Sequence, residues 1–495
     1  MQPPRRPGRR ERQARRIHWE RKIGHLMGMK DAFEAASSVI EAAYLLHDSL
    51  YQCGPEERQR LMSEGRDRAL AAVETCVRAA EAEGEAAMSP EVQSRLLYLR
   101  GKATACSEDG RLSDEAERLL ADAVKLNPTI IDAWNCLGEC FWQRGEYETA
   151  KHTFLGALDF ERTAATLCHL SMLLRTMSGA AGMNEQLLLE SVSLAKDSVR
   201  LDPTDAKAWS GLGAAHFSCH IHVTGAVEDL HLANRAFTQA GKVSSSAAVD
   251  AAGGGGGAAA AAGAAAAAAA SASNQADLIC NHAMVHGLLD APVPALQGYT
   301  QAHELDPMLG ADHKRTEQWR EVVKISEAIA AKRQTRSRKF AQMVSELPSA
   351  PQQTGNGGAT TLTPLSQLRL GENVGRTVAV KVVVAVPQTG MRLVAAHMVL
   401  IVADANEDLM ALTIYALRGV PTLEAGTTLE IRDPQLLQIE ATKFWERAPD
   451  GTPAASAGYH LLRVENPGAS LRINGHPVRQ KRPASAAAAA AARGA

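Results

Sequence analysis

What the chain lacks narrows its class first. Aromatic residues are only 4% of 495, and the net charge is −2. Nothing global therefore marks a nucleic-acid coat or a trap for acidic substrates. No run is long and apolar enough for a membrane span, because the Ala/Gly tract at 251–270 is too weakly hydrophobic. The eight cysteines form no Cys-x-x-Cys pair and follow no secretory leader, which reads as reduced thiols of an intracellular protein. No nucleophile elbow, Walker loop or zincin helix occurs, and no Gly-Lys-Ser/Thr follows Gly253–Gly257. Cys136 and Cys140 share a helix face without a nearby His–Asp partner. Cys219-His220-x-His222 lacks a fourth ligand at familiar spacing and reads as a loop. The expectation is a non-enzyme with no catalytic residue, metal or cofactor.

What is present is a repeat. With Trp134 at the fourth place of a unit of about 34 residues, Leu137, Gly138 and Phe141 fall at seven, eight and eleven. Ala150, Phe154 and Ala157 then fall at twenty, twenty-four and twenty-seven. Those spacings are the tetratricopeptide pattern. The small residues let two helices approach, and the large ones fill the groove between them. Gly101, Leu167, Trp209 and Ile279 start further units, which makes about five, enough for a continuous solenoid core. Inserted residues are expected at Ser107–Arg111, around Gly179–Gln186, and at 244–273, where Ala, Gly and Ser dominate.

The organisation follows from composition and period. Residues 1–28 form an Arg-rich tail, disordered or acting as a nuclear-import or RNA-contacting arm. Residues 29–88 read as a helical cap and 89–310 as the solenoid. One long helix with a basic end is expected over 311–347, followed by a linker at 348–360. Over 361–482 the period changes to two, led by Val378-x-Val380-x-Val382-x-Val384-x-Val386. Short strands there suit a Greek-key barrel of the OB type, and 483–495 is an Ala-rich tail. The fold class is thus multidomain: an all-α tetratricopeptide (TPR) solenoid, then a small all-β OB-fold barrel. Only Tyr415, Phe444, Trp445 and Tyr459 offer stacking platforms, and strand cations are sparse, so nucleic-acid binding by the barrel is only weakly expected. The barrel is expected to fold by itself.

The repeats, Leu170-Ser-Met-Leu-Leu-Arg175, Trp209-x-x-Leu-Gly213, the basic-ended helix and Ile473-Asn-Gly-His-Pro477 resemble the tetratricopeptide repeat protein 5 family. The resemblance spans about residues 90–480, apart from the Ala/Gly insertion. It implies an adaptor that reads the N-terminal Met-Arg-Glu of nascent tubulin on ribosomes and triggers tubulin mRNA decay through a recruited decay adaptor. It also implies the alternative of a nuclear scaffold working with an acetyltransferase coactivator, hence a cytoplasmic and nuclear location. Places two, five, nine and twelve of each first helix line the concave face, which puts Arg175 and Asp277 there. By the resemblance Arg175 takes the peptide's Glu and Asp277 its Arg. Asp312 stands beside Ala311, where the family has a second acid. Lys102 and Asn135 fall on further groove places. Arg336 and Arg338, with Lys339, match the ribosome-facing cations.

Overall fold

The computed structural model describes residues 31–44, 55–82, 89–105, 114–180, 182–252, 275–335, 337–347, 362–388, 397–415, 423–440 and 458–478. The tails, the loop at 107–111, the linker, Arg336, Phe444 and Trp445 lie outside them. By internal contacts the chain forms two units, one reaching to Leu173 and the other holding Leu174–Ala251 and the residues from Gln275 on.

The first unit is helical: α1 (31–44), α2 (Pro55–Ala82), α3 (Pro90–Ala105), α4 (Asp114–Leu126), α5 (Ile131–Gln143) and α6 (Tyr147–Phe160). Helix α7 (Ala164–Ala180) begins in it. The repeat pattern becomes sockets. A methyl added at Gly138 would sit 2.6 Å from the Phe154 ring, and one at Gly101 would sit 2.8 Å from Leu120. Only hydrogen fits at either place, so glycine is required by close approach rather than by backbone freedom. Trp134 Nε1 donates to the carbonyl of Pro128 at 2.9 Å, which ties α5 to the turn before it. Phe33, Ala36 and Ile40 of α1 join Val73 and Cys76 of α2 in one core with α3, α4 and α5.

The second unit continues with α8 (Glu185–Leu201), α9 (Ala206–Cys219), α10 (Val227–Ala252), α11 (275–288), α12 (Pro292–Leu305), α13 (Ala311–Gln334) and α14 (Arg338–Ser345). The same devices recur. A methyl at Gly213 would lie 2.8 Å from Phe237, and Trp209 Nε1 donates to the Pro203 carbonyl at 2.9 Å.

Three helical expectations are corrected. The Ala/Ser start of the 244–273 insertion continues α10 as helix to Ala252, because alanine carries the highest helix propensity. The Cys219–His222 stretch is no loop: His220–Thr224 is a π-helical turn closed by Gly225 at φ 62. The long helix over 311–347 is broken. Thr335 Oγ1 bonds back to the Ala331 carbonyl at 2.8 Å. Ser337 then caps a new helix by accepting the Phe340 N–H at 3.2 Å.

The barrel comprises β1 (Gly371–Glu372), β2 (Thr377–Val386), β3 (Met398–Ala403), β4 (Leu409–Ile414), β5 (Thr428–Arg432), β6 (Gln435–Glu440), β7 (Gly458–Val464), β8 (Leu471–Ile473) and β9 (His476–Pro477). Their order is β1-β6-β7-β4-β3-β2-β5-β8-β9, with β4 and β7 parallel. Strands β5 and β6 are consecutive and lie at opposite ends of the run β6-β7-β4-β3-β2-β5. Taken together they close a five-stranded OB circuit. Strand β6 restarts directly after Asp433 (φ 50) and Pro434. The five alternating valines do not share one face either. A bulge between Val382 and Val384 shifts the register. Val378, Val380 and Val382 enter the barrel interior, whereas Val386 joins the core beneath α13.

That second core corrects the expectation of a free-standing barrel. Trp319, Val322, Ile325 and Ile329 of α13, with Phe340 and Val344 of α14, bury against Val399, Ile401, Leu409, Ala411, Ile439 and Leu461. Removing the helices would expose this apolar surface, at about 25 cal/mol per Å².

Candidate functional site: the first-helix face

Within the second unit the residues proposed to read a peptide come from α7, α11 and α13. Arg175 is half-buried near the end of α7, and its Nη1 donates to the Gly211 carbonyl of α9 at 3.1 Å. The guanidinium is thereby oriented along the neighbouring helix. Asp277 is exposed in the first turn of α11, where a carboxylate suits the helix dipole. It acts on Cys280, one turn on, whose thiol is pushed up chiefly by burial and also by this carboxylate, against Lys314.

Asp312 opens α13, and its carboxylate is ion-paired with Arg315 of the same helix. Ala311 beside it is fully buried. The sequence reading missed Lys314, whose Nζ lies 3.4 Å from the Cys280 sulfur. Its signal was a cation two residues after the candidate acid.

In the first unit the proposed groove residues already have partners. Lys102 is ion-paired with Glu41 and sits 5.6 Å and 5.9 Å from the Tyr44 and Tyr98 ring centres. Burial alone would lower its pKa, but Tyr98, Cys136 and Glu41 hold it above the ordinary range. Asn135 is 5% exposed and accepts from Thr166 Oγ1 at 2.9 Å, so it serves the helix contact.

Arg338 and Lys339 are exposed in the first turn of α14. A helix dipole disfavours cations there, so these two charges are not explained by helix stability. Lys332 and Arg333 do occupy a last turn, that of α13. Tyr415 is no stacking platform: it is fully buried, with its hydroxyl 2.7 Å from Asp290.

A profile for the tetratricopeptide repeat protein 5 OB fold domain matches residues 359–487. The mouse protein named tetratricopeptide repeat protein 5 is 29% identical over 370 residues, 72% of this chain and 76% of its own length. The human protein of that name is also 29% identical, over 60% of this chain and 64% of its own length. Among solved structures, the Cut9–Hcn1 hetero-tetramer of the APC/C matches with TM-score 0.34 and 14% identity, covering 54% of this chain and 46% of that one. YrrB, described as a TPR protein with an unusual peptide-binding site, matches at TM-score 0.29 and 14% identity, over 44% and 90%. At those scores the structural likenesses carry no argument.

Helix pairs with Gly–Phe sockets, followed by an OB barrel, define a tetratricopeptide-repeat adaptor of the protein-binding class. The chain is similar over most of its length to tetratricopeptide repeat protein 5, and its residues 359–487 match the OB fold domain of that family.

Proposed function

We propose that the chain is a non-enzymatic adaptor that reads a short peptide bearing adjacent Arg and Glu, namely the N-terminal Met-Arg-Glu of nascent tubulin on ribosomes. Arg175 receives the peptide's Glu, Asp277 its Arg, and Arg336, Arg338 and Lys339 meet the ribosome. A recruited decay adaptor then removes the mRNA. The observation that supports this reading is Arg175, whose guanidinium is held by the Gly211 carbonyl of α9. An oriented guanidinium loses less freedom on meeting a carboxylate and can engage it with two parallel hydrogen bonds. The nuclear reading, with an acetyltransferase coactivator, rests on the Arg-rich tail at 1–22, outside the described residues.

The test is titration calorimetry with a Met-Arg-Glu peptide. Arg175→Glu and Asp277→Arg should each weaken binding by about 2–5 kcal/mol, with unchanged melting. A peptide with Arg and Glu exchanged should bind the native chain poorly. Arg338→Glu with Lys339→Glu should leave peptide affinity intact and weaken ribosome co-sedimentation in a salt-dependent way. Unchanged affinity in both groove variants would remove the assignment.

A further inference from the structure

OB barrels take oligonucleotides on the outer face of their second and third strands. Here those strands are β3 and β4. Strand alternation sends Leu400, Val402, Leu412 and Ile414 inward. The outward set is Val399, Ile401, Ala403, Leu409 and Ala411, continued by Thr413 and Tyr415, and none of these is more than 6% exposed. The cover comes from the chain itself. Trp319, Val322, Ile325 and Ile329 recur at helical spacing along α13 and close over the first five.

Polar groups fasten the rim of this contact. Lys324 Nζ donates to the Pro387 carbonyl at 2.6 Å. Lys381 Nζ reaches Glu346 at 3.0 Å and the Gly426 carbonyl at 3.1 Å. Thr413 Oγ1 donates to Asp290 Oδ1 at 3.3 Å. The Tyr415 hydroxyl lies 2.7 Å from Asp290 Oδ2 and 2.8 Å from the Leu288 carbonyl. His397, just before β3, meets His220 with their Nε2 atoms 3.1 Å apart. Since His220 Nδ1 lies 2.8 Å from the Ala226 carbonyl and donates to it, the His220 Nε2 accepts from His397.

We propose that α13 is a built-in ligand of the barrel: it occupies, within one chain, the face by which OB folds take single strands. The barrel is therefore a brace that holds α13 against the last repeat, and any nucleic acid this chain binds uses another surface. An oligonucleotide brings charged phosphates and base faces, and neither replaces a dry Trp–Val–Ile–Ile stripe. The inference stands on packing and does not depend on the peptide reading.

The test keeps the full chain and places a specific protease sequence within 348–361. After cleavage, the two pieces should co-elute in gel filtration at about micromolar concentration and physiological salt. Ile325→Glu with Ile329→Glu should cut the co-eluting barrel piece at least tenfold. If that variant does not fold, the cleaved native chain decides alone. In parallel, the uncut chain is photo-crosslinked to oligo(dT) and oligo(rU), with adducts mapped by mass spectrometry. Co-elution with no adduct on β3 or β4 supports the proposal, wherever else adducts fall. Separation of the native pieces, or adducts on the outward residues of β3 and β4, overturns it.

Discussion

The helix-pair sockets and the helix–barrel junction bury comparable side chains by different means. In a socket, one large ring meets a glycine of the paired helix: Phe154 on Gly138, Phe237 on Gly213. The junction joins α13 to strands far along the chain, and buried polar pegs such as Tyr415 with Asp290 border its apolar centre. A socket has little freedom in register, because a single added methyl would collide. A flat sheet under a helix can slide, and directional hydrogen bonds resist that. The comparison teaches that the sockets carry stability while the pegs carry alignment.

The largest expected effect breaks a socket. Phe154→Ala should cost about 3–5 kcal/mol in denaturant unfolding, since the emptied groove cannot collapse onto a glycine. Tyr415→Phe keeps the ring and takes the hydroxyl donor from Asp290 Oδ2, at a cost of about 1–3 kcal/mol. That loss should appear as faster hydrogen exchange in β3 and β4. A loss from Tyr415→Phe as large as that from Phe154→Ala would erase the distinction.

The third expectation concerns acid. His282 donates from Nε2 to Asn234 Oδ1 at 2.7 Å, and its pKa falls from 6.5 to about 4, chiefly through burial and then through His286. His286 is lowered too, by burial. Between those values the unfolded chain binds protons that the folded chain refuses. Stability is therefore full above about pH 6.5 and falls as pH drops toward 4. His282→Gln should flatten this slope in melting temperature measured from pH 7.5 to 4, and an unchanged slope would assign the loss elsewhere. The smallest effect belongs to deletion of 253–273 with a short Gly/Ser join. Ala and Gly offer almost no apolar face, so melting should hardly move. A fall of many degrees would show a third kind of contact.

The Trp134 socket was legible because it keeps the offsets of the repeat, so Trp134 located Gly138 and Phe154 without any structure, while the Gly213–Phe237 socket holds extra residues between its two helices. The junction has no offset, since α13 and β4 are joined through a long intervening stretch. One local sign of it existed. Val399-Leu-Ile-Val-Ala403 is unbroken apolar sequence, whereas a strand with a wet outer face alternates. Of the candidate site, the register supplied the places of Arg175 and Asp277. The Gly211 contact and the Arg315 partner of Asp312 depend on side-chain geometry that no spacing encodes. The break at Thr335 was hidden because Thr and Ser are ordinary in helices and act here through their hydroxyls.

The covering of α13 also has an order in time. Trp319, Val322, Ile325 and Ile329 are synthesised more than a hundred residues before Leu461, the last strand residue that packs with them. At about 5–20 residues per second the stripe waits roughly ten seconds for its cover. Throughout that interval the nascent chain carries an adhesive helix, which suits a chaperone or a second unfinished copy. Messages that end early, between α13 and β7, would leave that helix permanently bare.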